Sequence, residues 1–249
     1  MILFSKENKT GIIKLNNPEK RNALHPELVK QFKEALSSAV TDDEIKVLII
    51  TGEGKSFCAG ADLAYLSELQ KYNSIENEVD SENLADLFLQ VYRFPKPVIA
   101  AVNGAAIAGG CGLASVCDLI VADENNAKFG YTEVKIGFVP AIVSVFLLKR
   151  VGEGIAKQLF LTGELMNSKR AYEIGFVNYL TDDCLNKAKE LAETLQKNSS
   201  FSMELIKSMI QKISGFNAEA AVDFCTRLNV ISRSSVDFKK GLTNFLKKI

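Results

Sequence analysis

The chain has 249 residues, 47% apolar and 24% charged, with 30 basic side chains balanced by 30 acidic ones. These values fit an ordinary globular chain, large enough to bury roughly three quarters of its extended surface without staples. They exclude a global field that would draw in nucleic acid or a membrane surface. Five cysteines at irregular spacing, no CxxC pair and a single histidine argue against a metal site and for reduced thiols used as small apolar fillers. The opening MILFSKENKTG meets charge after four apolar residues, which does not read as a signal peptide. No apolar run approaches the length of a membrane helix. The expected location is the cytoplasm.

In chain order, GIIKLN (11–16) reads as a strand ending in the turn NNPEKRN. PELVKQFKEALSSAV then carries Leu28, Val29, Phe32, Ala35, Leu36 and Val40 at helical spacing, with Pro26 suited to the first turn. KVLIITG (46–52) reads as a buried strand, SENLADLFLQVYRF (81–94) as a helix stopped by PKP, and KPVIAAVNG (96–104) as the next strand. DLIVAD (118–123) and FVNYL (176–180) are later strands, and helical patterns cover 139–151 and 152–163. Strands alternating with helices predict an α/β body with parallel pairing. From position 182 every pattern is helical, so a helix-only tail is expected to pack outside that body or to mediate assembly.

Several motifs fail on their spacing. GEGKS (52–56) resembles the end of a P-loop, but Ile49 stands where the loop requires glycine. The glycines of GAAIAGGCGLASVCD (104–118) do not fit the dinucleotide fingerprint either. His25 sits at a helix entry without an acidic or nucleophilic partner, which suits a surface or capping role. Ser115 and Cys111 lack a nucleophile-elbow frame and a histidine partner. Two stretches are more informative together. FCAGADL (57–63) and AIAGGCGLA (106–114) each follow a strand with small residues that open toward a helix, where backbone N–H groups are unpaired. Side by side, they would aim two donors at one oxygen. The alternative is that the small residues serve only tight packing.

NNPEKRNAL (16–24), KVLIITGEGKSFCAGADL (46–63), the long block 96–140 and the tail GLTNFLKK (241–248) together resemble the enoyl-CoA hydratase/isomerase, or crotonase, superfamily over nearly the whole chain. The resemblance implies an α/β fold, a ββα spiral over 1–195, followed by an all-helical trimerisation region over 196–249. It implies a homotrimer or a dimer of trimers. Acyl-CoA thioesters are the implied substrates, with no prosthetic group and coenzyme A as part of the substrate. By position, the backbone N–H groups of Ala61 and Gly109 are the oxyanion donors. Lys20, Arg21, Ala23, Ala59, Asp62 and Leu63 line the CoA path, and Phe245 and Lys248 reach a neighbouring subunit's nucleotide. For the charged members of this set, a solvated surface role is the competing reading.

The same resemblance assigns acid–base work to Glu133. A second glutamate, common in hydratases of this kind, falls at Gly112, which cannot carry a proton. After Pro140, AIVSVFLL replaces a glycine-rich stretch and is expected to narrow the acyl pocket, while the N–H of Ala141 can still hold a water. The combination of AGGCGLA with TEVKIGFVPA resembles hydratases of branched or carboxylated enoyl-CoAs such as 3-methylglutaconyl-CoA. Three functions compete: hydration of an enoyl-CoA with Glu133 as acid–base, Δ3,Δ2-enoyl-CoA isomerisation by the same glutamate, and a non-catalytic scaffold.

Overall fold

The computed structural model describes residues 1–247 of the chain. A hairpin opens it: β1 (Ile2–Glu7) pairs antiparallel with β2 (Thr10–Leu15). Asn8 supplies the positive φ of 52° between them, a conformation asparagine tolerates well. After a 3₁₀ turn (Pro18–Lys20) comes α1 (Pro26–Thr41), then β3 (Val47–Gly52), β4 (Ser56–Cys58), α2 (Leu63–Leu69) and α3 (Ser74–Tyr92). The pattern recurs with β5 (Val98–Val102), β6 (Ala105–Ile107) and α4 (Gly109–Ser115), and again with β7 (Leu119–Asp123), β8 (Lys128–Gly130), a 3₁₀ turn (Glu133–Ile136) and α5 (Ala141–Thr162). The body closes with β9 (Leu165–Asn167), α6 (Ser168–Glu173), β10 (Tyr179–Thr181) and α7 (Cys184–Gln196). The remaining helices are α8 (Ser200–Ile213), α9 (Ala218–Ser234) and α10 (Val236–Leu246).

Each pair β3–β4, β5–β6 and β7–β8 gives its first strand to one sheet and its second to another, and helical chain then leads to the next pair. The result is a six-stranded sheet in the order β1-β2-β3-β5-β7-β10 and a four-stranded sheet in the order β4-β6-β8-β9. Apart from β1–β2 and β8–β9, the pairing is parallel. The large sheet is covered on both faces, which explains why its strands read as continuous apolar runs. Ile13, Ile50, Ala100 and Ile120 face the main core with Leu28 and Phe32 of α1. One residue earlier in each strand, Ile12, Ile49 and Ile99 face Ala188 and Ala192 of α7. The first helix of the all-helical tail is therefore a layer of the body, because its Cys184, Ala188 and Ala192 pack on that face. On α1 the buried stripe ends on Ala39, leaving Val40 39% exposed.

Some elements differ from the sequence reading. α3 begins seven residues ahead of the expected helix, at an Asn73 N-cap that forms a reciprocal capping box with Glu76. The expected strand at 176–180 shifts to β10, because Phe176 and Val177 are buried in the main core instead. The patterns at 139–151 and 152–163 form a helix interrupted at Gly152, whose φ of 76° breaks the α geometry. Lys207 of α8 ties the tail to the body, donating to Asp118 at 2.6 Å and to the Lys96 carbonyl at 3.1 Å. No helix among the described residues is long and apolar enough to cross a membrane.

Candidate active site

The site forms where the second strands of two successive turns end. β4 and β6 run parallel, with Ser56 opposite Ala105 and Cys58 opposite Ala106. Beyond β6 the first turn of α4 crosses so close to β4 that a Cβ on Gly110 would lie 2.0 Å from the Cys58 carbonyl oxygen. Beyond β4 the chain turns at Gly60, with φ +84°, and a Cβ there would lie 2.7 Å from the Ile107 oxygen and 3.3 Å from the Gly109 nitrogen. The small-residue stretches of the sequence are thus pressed backbone against backbone. The tight-packing reading is seen directly, and this packing brings the turns that carry Ala61 and Gly109 together.

Segment 21–24 clamps the first turn. Ala59 N–H donates to the Arg21 carbonyl at 3.0 Å, Leu24 N–H to Gly60 at 2.6 Å and Asp62 N–H to Leu24 at 3.1 Å. This alternation skips Ala61, whose N–H has no acceptor among the described residues. Gly109 is the first residue of α4, and its N–H is likewise left over by the helix start. The preceding residue, Ala108, holds φ 51° and ψ −121°, a strained conformation for a residue with a side chain. Ala108 N–H is fixed to the Gly130 carbonyl at 2.7 Å, and Gly112 N–H to the Ala108 carbonyl at 2.9 Å. The strain sets the plane of the Ala108–Gly109 peptide and so the direction of the Gly109 N–H.

Gly130 also ends β8, and Glu133 follows three residues later at the head of a 3₁₀ turn. Glu133 is only 8% exposed, and its Oε2 is buried without a hydrogen-bond partner. Burial pushes its pKa above the ordinary 4.5. A buried, unpartnered carboxylate is costly to keep, which makes it a candidate for proton transfer. The nearby hydroxyl of Tyr131 is also buried and unpartnered, its ring packed edge-on against Phe160 at 5.0 Å.

Two residues that the sequence reading did not single out shape the rest. Arg150 of α5 reaches under the C-terminal end of α4, its Nε and Nη2 donating to the carbonyls of Ser115 and Cys117, while Nη1 donates to that of Phe176. A cation there complements the helix dipole and fixes the element that carries Gly109. Val143, also on α5, occupies the space over Gly112: a Cβ at 112 would lie 2.1 Å from its Cγ1 and 3.7 Å from Phe88 Cζ. Position 112 therefore lacks both a carboxylate and the room for one.

The other residues expected at the site fall into groups. Arg21 and Ala23 lie in the clamp segment that bonds to Ala59 and the Asp62 backbone, and Lys20 joins it by accepting from Ala23 N–H at 3.0 Å, so these five residues come together. The Asp62 side chain caps α2, accepting from Ala64 and Tyr65 N–H, with Lys20 Nζ 3.9 Å away. Leu63 is 74% exposed. A cleft of about 280 Å³ opens beside them between Asn17, Lys20, His25, Asp62, Tyr65 and Glu68. His25 is the N-cap of α1, its Nδ1 accepting from Glu27 N–H at 3.3 Å, as the capping reading expected. The expected water contact at Ala141 needs correction: its N–H already donates to the Val139 carbonyl at 2.8 Å. Phe245 is exposed on α10, which packs on α9, and Lys248 lies outside the described residues.

Two neighbouring turns with unpartnered backbone N–H groups, and a buried carboxylate three residues after the strand that fixes one of them, are set in a spiral of strand pairs. The family profile described as enoyl-CoA hydratase/isomerase matches residues 5–249, and the chain belongs to that family. A Thermus thermophilus protein provisionally named an enoyl-CoA hydratase is 43% identical over 240 residues, 96% of this chain and 94% of its own. The crotonyl-CoA hydratase of Syntrophomonas wolfei is 34% identical, with 99% of this chain and 95% of the relative covered. The crystal structure of an enoyl-CoA hydratase from Shewanella pealeana superposes with a TM-score of 0.95 at 27% identity, covering 99% of this chain and 93% of the other.

Proposed function

We propose that the protein is an enoyl-CoA hydratase, a lyase that adds water across the 2,3 double bond of an acyl-CoA thioester. The observation that carries this reading is the buried, partnerless Oε2 of Glu133, together with the unpartnered N–H groups of Ala61 and Gly109. The thioester oxygen accepts from those two N–H groups. Glu133 takes a proton from water, the resulting hydroxide bonds to C3, and the π electrons move onto the thioester oxygen as an enolate. The enolate collapses as Glu133 returns the proton to C2. Each oxyanion donor is worth about 2.7–4 kcal/mol, and positioned proton transfer roughly 10²–10⁴-fold.

The CoA moiety runs past Lys20, Arg21, Ala23, Ala59, Asp62 and Leu63, with the exposed basic side chains placed for its phosphates. The tail over 196–249 builds a trimer or a dimer of trimers, a reading supported by α8–α10, which contain no buried residue and expose Ile206, Ile210, Val230 and Leu242. In that assembly Phe245 approaches a neighbour's nucleotide. Branched or carboxylated enoyl groups such as 3-methylglutaconyl are the proposed acyl class, carried by the motif resemblance.

One observation favours a second reaction at the same site. With Val143 over Gly112, Glu133 is left to act alone, which suits Δ3,Δ2-isomerisation: the C2–H proton moves to Glu133, a dienolate forms, and the same proton returns at C4. A panel of crotonyl-, 3-methylglutaconyl- and 3-hexenoyl-CoA tests both readings. Loss of the conjugated enoyl absorbance from the first two reports hydration, and its gain from the third reports isomerisation. Silence on all three with CoA binding intact would leave the scaffold reading standing and overturn this one.

A further inference from the structure

Arg150 stands near the end of the first stretch of α5, two residues before the break at Gly152. The three hydrogen bonds of its guanidinium all go to main-chain carbonyls: Nε to Ser115 at 3.3 Å, Nη1 to Phe176 at 3.2 Å, and Nη2 to Cys117. A carbonyl cannot turn away by a change of rotamer, so these bonds hold backbone. Ser115 closes α4, a rod of seven residues with Gly109 at its other end, about 10 Å away. The third anchor leads in another direction. The guanidinium lies over the Phe176 ring, 5.9 Å from its centroid, and that ring packs edge-on against Phe129 at 5.2 Å. Phe129 belongs to β8, four residues before Glu133. The far end of α5 packs on the Glu133 turn as well: a Cβ on Gly163, its C-cap, would lie 2.9 Å from Val134 Cγ1.

We propose that Arg150 is a positioning residue for the reaction: it holds the helix that presents the Gly109 N–H and the strand that leads to Glu133 in one rigid frame. It touches neither the thioester nor the proton. The bond from Gly109 to the thioester oxygen strengthens as that oxygen gains charge, so a donor displaced with α4 is missed more in the transition state than in the bound substrate. Arg150 bonds none of the described residues proposed for the CoA path. Its loss therefore falls on kcat rather than on KM. Lysine is no substitute, because one ammonium on a flexible stem cannot reach three carbonyls as a fixed planar fork does. This inference rests on the acyl-CoA reading of the site.

Three proteins test it: the parent, Arg150→Lys and Lys207→Met, each assayed on crotonyl-CoA and 3-hexenoyl-CoA with CoA affinity and thermal unfolding alongside. Lys207 bonds Asp118 just beyond α4 but takes no part in the Arg150 fork, so its loss controls for stability alone. Arg150→Lys is expected to stay folded at the assay temperature and to lose at least about tenfold in kcat, with KM and CoA affinity within about threefold of the parent. Lys207→Met is expected to melt lower than the parent with its kcat unchanged. An Arg150→Lys protein with kcat within about twofold of the parent, one whose loss lies in KM, or one that does not fold overturns the proposal and leaves the acyl-CoA reading intact. A Lys207→Met protein that loses as much kcat as Arg150→Lys does the same, since the loss would then follow from loosening that corner of the fold. A folded parent inactive on both thioesters overturns the acyl-CoA reading and the proposal with it.

Discussion

Gly110→Ala isolates the close crossing that joins the two donor turns. The added Cβ would lie 2.0 Å from the Cys58 carbonyl oxygen, 2.7 Å from its carbon and 2.9 Å from Cys58 Cβ, where ordinary contact begins at 3.4 Å. More than an ångström must be found, and β4 is held in place: Phe57 and Cys58 are fully buried and Cys58 is paired with β6. The strain therefore moves α4 away from the 59–61 turn. Overpacking of this kind costs about 1–3 kcal/mol, which at roughly 2–4 °C per kcal/mol for a chain this size lowers Tm by several degrees. Separating the N–H of Gly109 from that of Ala61 removes one donor from the hole, a loss of about 10²–10³ in kcat. Calorimetry and steady-state turnover of an enoyl-CoA measure both effects. Gly215→Ala, where an added Cβ meets nothing within 4 Å, is the control and should change stability by no more than about 0.5 kcal/mol. A Gly110→Ala protein with kcat within twofold of the parent would refute the idea that this crossing aims the donors.

Further expectations follow from the same geometry. Burial raises the folded-state pKa of Glu133 above 4.5, so the folded protein holds this proton more tightly than the unfolded chain. Its contribution to stability is complete below about pH 4.5 and is lost as pH rises through the raised value. Glu133→Gln should therefore gain on the parent in urea midpoint as pH climbs above that point, and a flat difference would contradict the burial argument. The parent's kcat/KM should rise with pH over the same window, since a base must lose its proton first. Ala108→Gly should be neutral or stabilising, because relief of about 1–3 kcal/mol of backbone strain outweighs the roughly 0.5–1 kcal/mol entropic penalty of glycine; Ala108→Val should destabilise, and equal melting of the two would show that the turn is not strained. Lys207→Met removes the charged hydrogen bond to Asp118 and should lower stability by about 1.5–3 kcal/mol, read by denaturant unfolding; an unchanged midpoint would mean that α8 is held by packing alone.

The long elements were legible because their periodicity is physical. Strands β3, β5 and β7 are apolar on both faces since the sheet is covered twice, and α1 shows its buried stripe one turn at a time. The three-residue strands β4, β6 and β8 are too short to show a period, and β6 lies in an alanine- and glycine-rich run with little strand propensity. That both donor turns end these strands was readable only as two similar motifs; their contact comes from parallel register. Glu133 was legible from the pattern around it, but its partnerless burial was not. Val143 passed unremarked within AIVSVFLL, the stretch that replaces a glycine-rich one, and Gly112 stood where a second glutamate falls, 31 positions away in sequence. Only the α4–α5 packing shows that the two departures are one event.

The central claim is that Glu133 carries the proton chemistry of an enoyl-CoA. Turnover by Glu133→Gln, measured beside the parent on crotonyl-CoA and 3-hexenoyl-CoA together with CoA affinity, tests it most directly. The account predicts a loss of about 10²–10⁴ in kcat on whichever thioester the parent turns over, with CoA binding unchanged. A variant that keeps near-parental kcat would contradict it.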